Sequence, residues 1–163
     1  MNAIRVLCLL SISCPVAWCE DDAPTRPWIE PRLVHLRSGT DREWSDFPET
    51  ADGPRLSVSF DAVKNTGEHA LMLRQQDVKQ QWFVSLNGKK LGELVRDEND
   101  MTIGLAVPAN ALKDGDNVLV IESPASAKTP SDDIHVGRIE WHRQPLQAVL
   151  SAATLDVAVV DRE

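Results

Sequence analysis

Short stretches of this chain alternate between apolar and polar side chains. From Leu56 to Ala62 every second residue is apolar, with Ser or Asp between. Large apolar residues recur at the same spacing of two within residues 82–86 and 103–107. Because successive side chains of a β-strand point to opposite faces, each stretch predicts a strand with one buried face. The unbroken run Val118–Ile121 is typical of a strand in the middle of a sheet.

Turn-forming residues connect these predicted strands. Asn87 and Gly88 suit the positive φ angles of a type I′ hairpin turn, so residues 91–95 are expected to run back antiparallel to the strand before. The apolar phase of the last long strand shifts at Gly137, which indicates a β-bulge. Residues 69–80 fit either a helix or a strand.

The first residues have the order of an export signal. Arg5 precedes an apolar stretch of residues 6–16, and the sequence Ala-Trp-Cys ends at Cys19, before a run of acids. This order predicts a signal peptide over residues 1–19, cleaved after Cys19, and therefore a secreted or periplasmic protein. A buried N-terminal helix and a lipoprotein anchor at Cys19 are the alternatives.

The remainder of the chain divides into three predicted segments. Residues 20–31 contain three prolines and many charges, which is typical of an extended linker. Residues 32–144 hold the short strands, with a first one at Leu33–Leu36 before a long loop, and predict an antiparallel β-sandwich or barrel. Residues 145–163 are expected to be a linker and the first strand of a truncated second β domain; the alternative is that this strand closes the sandwich.

Cysteine usage and charge exclude several classes of function. The cysteines all lie within residues 1–19, so the exported chain would have no disulfide, thiolate nucleophile or cysteine-ligated metal. The chain carries 25 acidic against 17 basic side chains, a formal charge of −8. Such a surface repels nucleic-acid phosphates and anionic lipids, so we expect neither nucleic acid nor, after signal cleavage, a membrane as partner.

The sequence lacks the common motifs of catalysis. It has no Gly-rich phosphate loop, no nucleophile elbow around a serine, and no pair of histidines at a spacing that ligates zinc. We therefore expect a protein that is not an enzyme. The acidic run at residues 97–100 lacks the Gly and Glu of an EF-hand, which leaves Asp132 and Asp133, at the start of a strand, as candidates for a calcium site.

Tryptophans are the candidates for ligand contact. Trp82 and Trp141 share the phase of aliphatic strand residues and are expected in the core, whereas Trp28 and Trp44 stand in polar segments. Since sugar rings stack on flat apolar side chains, Trp44 is the candidate ligand-binding residue. The alternative is that Trp44 covers the edge of the sandwich.

A series of short motifs resembles a known family of modules. The series consists of Trp82–Lys89 (WFVSLNGK), Leu91-Gly92, Val107-Pro108 and Leu112–Leu119 (LKDGDNVL). It is similar to the galactose-binding-like modules found beside the catalytic domains of β-galactosidase-type glycoside hydrolases and other large secreted bacterial hydrolases. The resemblance covers about residues 55–141.

This resemblance implies an all-β fold, an antiparallel jelly-roll β-sandwich, with an extra C-terminal strand. That strand, residues 155–160, resembles the opening of a carboxypeptidase-regulatory-like or fibronectin-like domain. The implied protein is an exported, non-catalytic accessory module that binds carbohydrate or a neighbouring protein domain, and is the N-terminal part of a larger hydrolase. A purely structural packing module and a fragment of a metal-dependent hydrolase are the alternatives.

Overall fold

The computed structural model describes residues 28–43, 45–124 and 130–152. Within them the chain forms eight β-strands: β1 Trp28–Leu36, β2 Arg55–Ala62, β3 His69–Gln76, β4 Phe83–Leu86, β5 Lys89–Glu93, β6 Met101–Val107, β7 Gly115–Glu122 and β8 Ile134–His142. The predicted signal peptide, the strand predicted at residues 155–160 and Trp44 lie outside the described residues.

The strands form two four-stranded antiparallel sheets. One has the order β1-β8-β3-β6 and the other β2-β7-β4-β5. Their facing sides bury one continuous apolar core, in which Leu71, Trp82 and Ile121 are fully enclosed. The prediction of an antiparallel, all-β sandwich is therefore confirmed.

Alternating side chains explain why these stretches are strands. In β2 the apolar residues Leu56 and Val58 are buried while Ser57 and Ser59 are exposed, as a period of two requires. The two sheets approach closely at Gly92, where a Cβ atom would lie 2.9 Å from a methyl group of Leu105 in the opposite sheet. A glycine at this position lets the sheets pack without a void or a clash.

Two predicted irregularities are confirmed. Asn87 and Gly88 have φ angles of 52° and 78° and connect β4 to β5, as a type I′ turn requires. In β8, the pairing with both neighbouring strands shifts near Gly137, which has a φ of 155°. A Cβ at Gly137 would lie 2.0 Å from the carbonyl oxygen of Arg32, so the bulge brings two backbones into direct contact.

The structure differs from the sequence predictions near both ends of the described chain. Strand β1 begins at Trp28, within the segment predicted as a linker. Of the two alternatives for residues 69–80, the structure has the strand, at residues 69–76. Residues 146–152, within the segment predicted as a linker and the first strand of a second domain, form a short helix. Its residue Leu146 lies over Gly104, where a Cβ would come within 2.5 Å of a Leu146 methyl group, so the helix packs on the outer face of the first sheet. No helix among the described residues is long and apolar enough to cross a membrane.

Candidate functional site

A large cleft opens between the two sheets at one end of the sandwich. It lies at the end of β2 and the start of β3, next to the end of β8 and the start of β1. Its volume is about 1220 Å³. We call it the inter-sheet cleft. It is lined by Trp28, Ile29, Ser59 to Thr66, His69, Leu112 and Trp141 to Gln144.

Aromatic side chains form the floor and one rim of the inter-sheet cleft. The rings of Phe60 and Trp141 lie 5.6 Å apart and are tilted by 39°. Trp141 is nearly buried, and Phe60 packs against the core. Trp28, at the start of β1, is 38% exposed, and Val63, after β2, is 72% exposed. Two of the large apolar side chains exposed in the described structure thus stand at this cleft.

His69 is a hydrogen-bonding group in the cleft wall. Its Nδ1 accepts a hydrogen bond of 3.1 Å from the indole Nε1 of Trp141. In the neutral imidazole the proton is then on Nε2, which makes that atom a donor. Burial lowers the pKa of His69, and the positive charge of Arg143 lowers it further. The ring is therefore neutral at pH 7.

Asparagine side chains hold the loops around the cleft. The amide nitrogen of Asn65 donates to the carbonyl oxygens of Gly67 and Pro108, at 2.8 and 2.7 Å, and its amide oxygen accepts from the backbone of Leu112, at 2.9 Å. Asn65 is almost fully buried. It joins the β2–β3 loop to the β6–β7 loop, and so fixes Leu112 at the cleft.

Two further asparagines, Asn87 and Asn117, extend this connection. The amide of Asn87 donates to the carbonyl of Ala111 and to the side chain of Asn117, and it accepts from the backbone of Val118. Asn117 is fully buried and also binds the backbone of Lys113. These side chains satisfy buried backbone groups that no strand partner reaches, which keeps the loops in one conformation.

Charged groups at the cleft are Asp61, Lys64 and Arg143. Asp61 lies between the inward-facing Phe60 and Ala62 of β2, so its side chain points to the outer face of the sheet. Lys64 and Arg143 follow β2 and β8 and are exposed. Within the described residues, neither of these two cations forms an ion pair.

A polar cluster lies at the opposite end of β1 and β8, around the sequence-predicted Asp133. One carboxylate oxygen accepts from Nε2 of His35 at 2.5 Å and from Arg37 at 3.0 Å, and the other accepts from the backbone of Glu43 at 2.6 Å. Asp133 is completely buried. Burial alone would raise the pKa of Asp133, but these hydrogen bonds and the nearby positive charge hold it below its usual value.

Aromatic rings cover this cluster. Phe47 stacks on His35 and on His135, at ring distances of 5.0 and 4.8 Å. Burial lowers the pKa of His135, and the neighbouring His35 contributes in the same direction. The cluster thus attaches the loop that contains Glu43 and Phe47 to the outer face of the first sheet.

The two aspartates chosen from the sequence have different partners. Asp133 accepts hydrogen bonds from His35, Arg37 and the backbone of Glu43. Asp132 accepts one from Nε2 of Gln80 at 2.8 Å. In the described ranges no group of three or more His, Cys, Asp or Glu side chains is placed to hold a metal ion. Trp44, the residue chosen for ligand contact, lies outside the described residues.

The sequence identified the tryptophans but not the cleft. Trp82 and Trp141 are in the core as predicted. However, Trp141 also forms the cleft floor, because β8 ends at the open end of the sandwich. The exposed Trp28 in a polar segment was the sequence signal for this site, yet it needs the pairing of β1 with β8 to bring it near Trp141.

No protein-family model matches this chain, and no curated protein matches it significantly.

Proposed function

We propose that this protein is a carbohydrate-binding accessory module of an exported hydrolase and that the inter-sheet cleft is its saccharide site. One observation carries the proposal: a cleft of about 1220 Å³ has the Phe60 and Trp141 rings at its floor and Trp28 at its rim. Sites for single small ligands are usually about 300–1,000 Å³, so this cleft has room for more than one sugar ring.

The chemistry of the cleft suits a sugar. A pyranose ring has an apolar face and a circumference of hydroxyl groups, so it needs a flat apolar surface beside fixed hydrogen-bonding groups. Trp28 and the aromatic floor offer the flat apolar surface. His69 Nε2 and the side chain of Gln144, both in the lining, offer the hydrogen-bonding groups. Because Trp141 donates to the His69 ring and Asn65 fixes the loop before it, this hydrogen-bonding group is held in place before a ligand arrives.

The strand order supports the jelly-roll part of the proposal. Strands β1 and β8, β2 and β7, β3 and β6, and β4 and β5 are paired. This is the pairing of one long hairpin that is wrapped so that successive pairs alternate between two sheets, as in an eight-stranded jelly roll. It agrees with the fold that the resemblance to galactose-binding-like modules implies.

We propose binding without catalysis, in an exported protein that acts beside a hydrolase domain. The test is isothermal titration calorimetry of the purified chain with hexasaccharides of β-linked glucose, galactose, mannose and xylose and with hexagalacturonate. We expect saturable binding of at least one, and Trp28→Ala should weaken it about five-fold, which corresponds to about 1 kcal/mol of ring stacking. The matched control is Val95→Ala, which removes exposed apolar surface outside the cleft lining.

Three results would contradict this proposal. One is an absence of heat with every hexasaccharide, which would favour the purely structural packing module. Another is an equal loss of affinity in Trp28→Ala and Val95→Ala, which would place the sugar elsewhere. The third is release of reducing sugar by the purified chain, because an accessory module should not cleave its ligand.

A further inference from the structure

We infer that the saccharide bound in the inter-sheet cleft is anionic, with a carboxylate or sulfate group that Lys64 and Arg143 bind. This inference rests on the proposed function, since it names the class of sugar for the same site. It starts from the two cations that line the cleft.

About half of the lysines and arginines in the described ranges are paired with an acid. Carboxylates lie within ion-pair distance of Arg32, Arg37, Arg55, Arg74, Lys79 and Lys90. The chain has an excess of acids, with a formal charge of −8, so an average cation has acidic neighbours available. Lys64 and Arg143 have no ion pair among the described residues. Unlike the other described cations without an ion pair, Arg42, Lys89, Arg96, Lys113 and Arg138, they line one cleft.

The acidic groups close to the cleft face away from it or are bonded to groups other than the two cations. Asp61 points to the outer face of its sheet, where its backbone pairs with that of Asp116. Asp114 accepts a hydrogen bond of 2.8 Å from the backbone of Lys64 and leaves the ammonium group of that residue unpaired. Glu140 is hydrogen-bonded to His142 at 3.2 Å. None of these carboxylates neutralises the two cations.

His69 reports on the electrostatic environment inside the cleft. Apart from burial, Arg143 is the one charged group among the described residues that shifts the pKa of its ring, and it lowers it. The Arg143 guanidinium is therefore close enough to act on the His69 ring. An anionic group there would meet the Arg143 guanidinium, which can donate two parallel hydrogen bonds, and the Nε2 donor of His69.

An apolar floor with cations at the rim fits an acidic sugar better than other anions. The ring of a uronate or a sulfated sugar has an apolar face for Phe60 and Trp141, and its charged group projects from the edge of the ring. An acidic peptide has the charge but offers no flat ring for this floor. The cleft therefore selects for both features at once.

The experiment compares matched ligands by calorimetry on the full chain at low salt. The probes are tetragalacturonate, a sulfated galactotetraose, neutral galactotetraose and hexa-aspartate. At least one of the two anionic sugars should bind ten-fold or more tightly than the neutral one, and added salt should reduce this advantage. Arg143→Gln should remove most of the advantage and change the affinity for galactotetraose less than two-fold. The control Arg96→Gln makes the same change of charge at an exposed residue outside the cleft lining.

Each other outcome has a distinct meaning. Equal or tighter binding of the neutral sugar would overturn this inference and leave the proposed function standing. Equal losses in Arg143→Gln and Arg96→Gln would also overturn it, because the effect would then come from overall charge. Hexa-aspartate binding as tightly as the sugars would overturn the assignment to saccharides. If none of the probes bound, the inference would fail, and the hexasaccharide panel would decide separately on the proposed function.

Discussion

Asp133 illustrates how one buried side chain can join two distant parts of the chain. It accepts hydrogen bonds from His35, Arg37 and the backbone of Glu43 while completely buried. Replacement with Asn keeps the shape but removes the charge that balances Arg37. We expect Asp133→Asn to lower the free energy of unfolding by about 3 kcal/mol at pH 7, because it leaves a buried cation unpaired.

The difference between wild type and Asp133→Asn should depend on pH. The folded protein holds the pKa of Asp133 below its usual value, so the unfolded chain takes up the proton first as pH falls. The stabilisation is fully present above the unfolded pKa of about 4 and is lost as pH falls through the lower folded value. Urea unfolding at pH 7, 5, 4 and 3 measures this loss.

Asp132→Asn is the matched control for that series. Asp132 has Gln80 as its side-chain partner and is partly exposed, so its replacement should cost less than 1 kcal/mol. A stability difference for Asp133→Asn that stayed constant from pH 7 to 3 would show that the carboxylate charge is not what stabilises the cluster.

The sequence marked Asp132 and Asp133 as candidate cation ligands, but it did not indicate that Asp133 is buried. Two adjacent aspartates before a strand are compatible with a cation site, and the sequence has no local sign that one of them is buried beside an arginine. The partners His35 and Arg37 are almost a hundred residues away and come close only because β1 pairs with β8. No local sequence pattern predicts a charge pair between residues so far apart in the chain.

The bulge in β8 has no room for a side chain at Gly137. A Cβ at Gly137 would lie 2.0 Å from the carbonyl oxygen of Arg32 in β1. That contact is with backbone, which cannot rotate away as a side chain does. We expect Gly137→Ala to lower the free energy of unfolding by about 3 kcal/mol, measured by urea denaturation.

Gly67→Ala is the control that tests whether the loss of stability in Gly137→Ala comes from the close backbone contact at that position. A Cβ at Gly67 would meet nothing within 4 Å. This substitution should be neutral or stabilise the protein by up to about 1 kcal/mol, since alanine restricts the unfolded chain. Equal destabilisation by both substitutions would contradict the role given to the close approach at Gly137.

Elements with a clear period were predictable, and those without one were not. The alternation in β2 and the Asn-Gly turn before β5 depend on neighbouring residues alone, and both were found as predicted. Residues 146–152 lacked a long helical pattern, and this helix depends on the packing of Leu146 over Gly104. Strand β1 starts earlier than its apolar residues suggest, because its first residues pair with the end of β8.

The arrangement of the two sheets could not be read from the period of two. Alternation tells which face of a strand is buried but not which strand lies beside it. In this molecule the first strand pairs with the last, so the inter-sheet cleft is assembled from both ends of the described chain and from the middle. The sequence therefore predicted a sandwich, and the location of its open end required the structure.

The same topology predicts slow folding that starts at the local hairpin. The β1–β8 ladder, in which Leu36 pairs with Ile134, closes a very long loop, whereas β4 and β5 are joined by a two-residue turn. All-β domains of this kind fold in milliseconds to seconds.

The buried Val136 and Val84 provide a matched pair of substitutions to alanine, in β8 and in the hairpin. Each is expected to lower the free energy of unfolding by about 2 kcal/mol. In stopped-flow tryptophan fluorescence, Val84→Ala should mainly slow folding and Val136→Ala should mainly speed unfolding. Folding within microseconds would contradict the expected slow folding. A slower folding rate in Val136→Ala than in Val84→Ala would mean that the long-range ladder forms first.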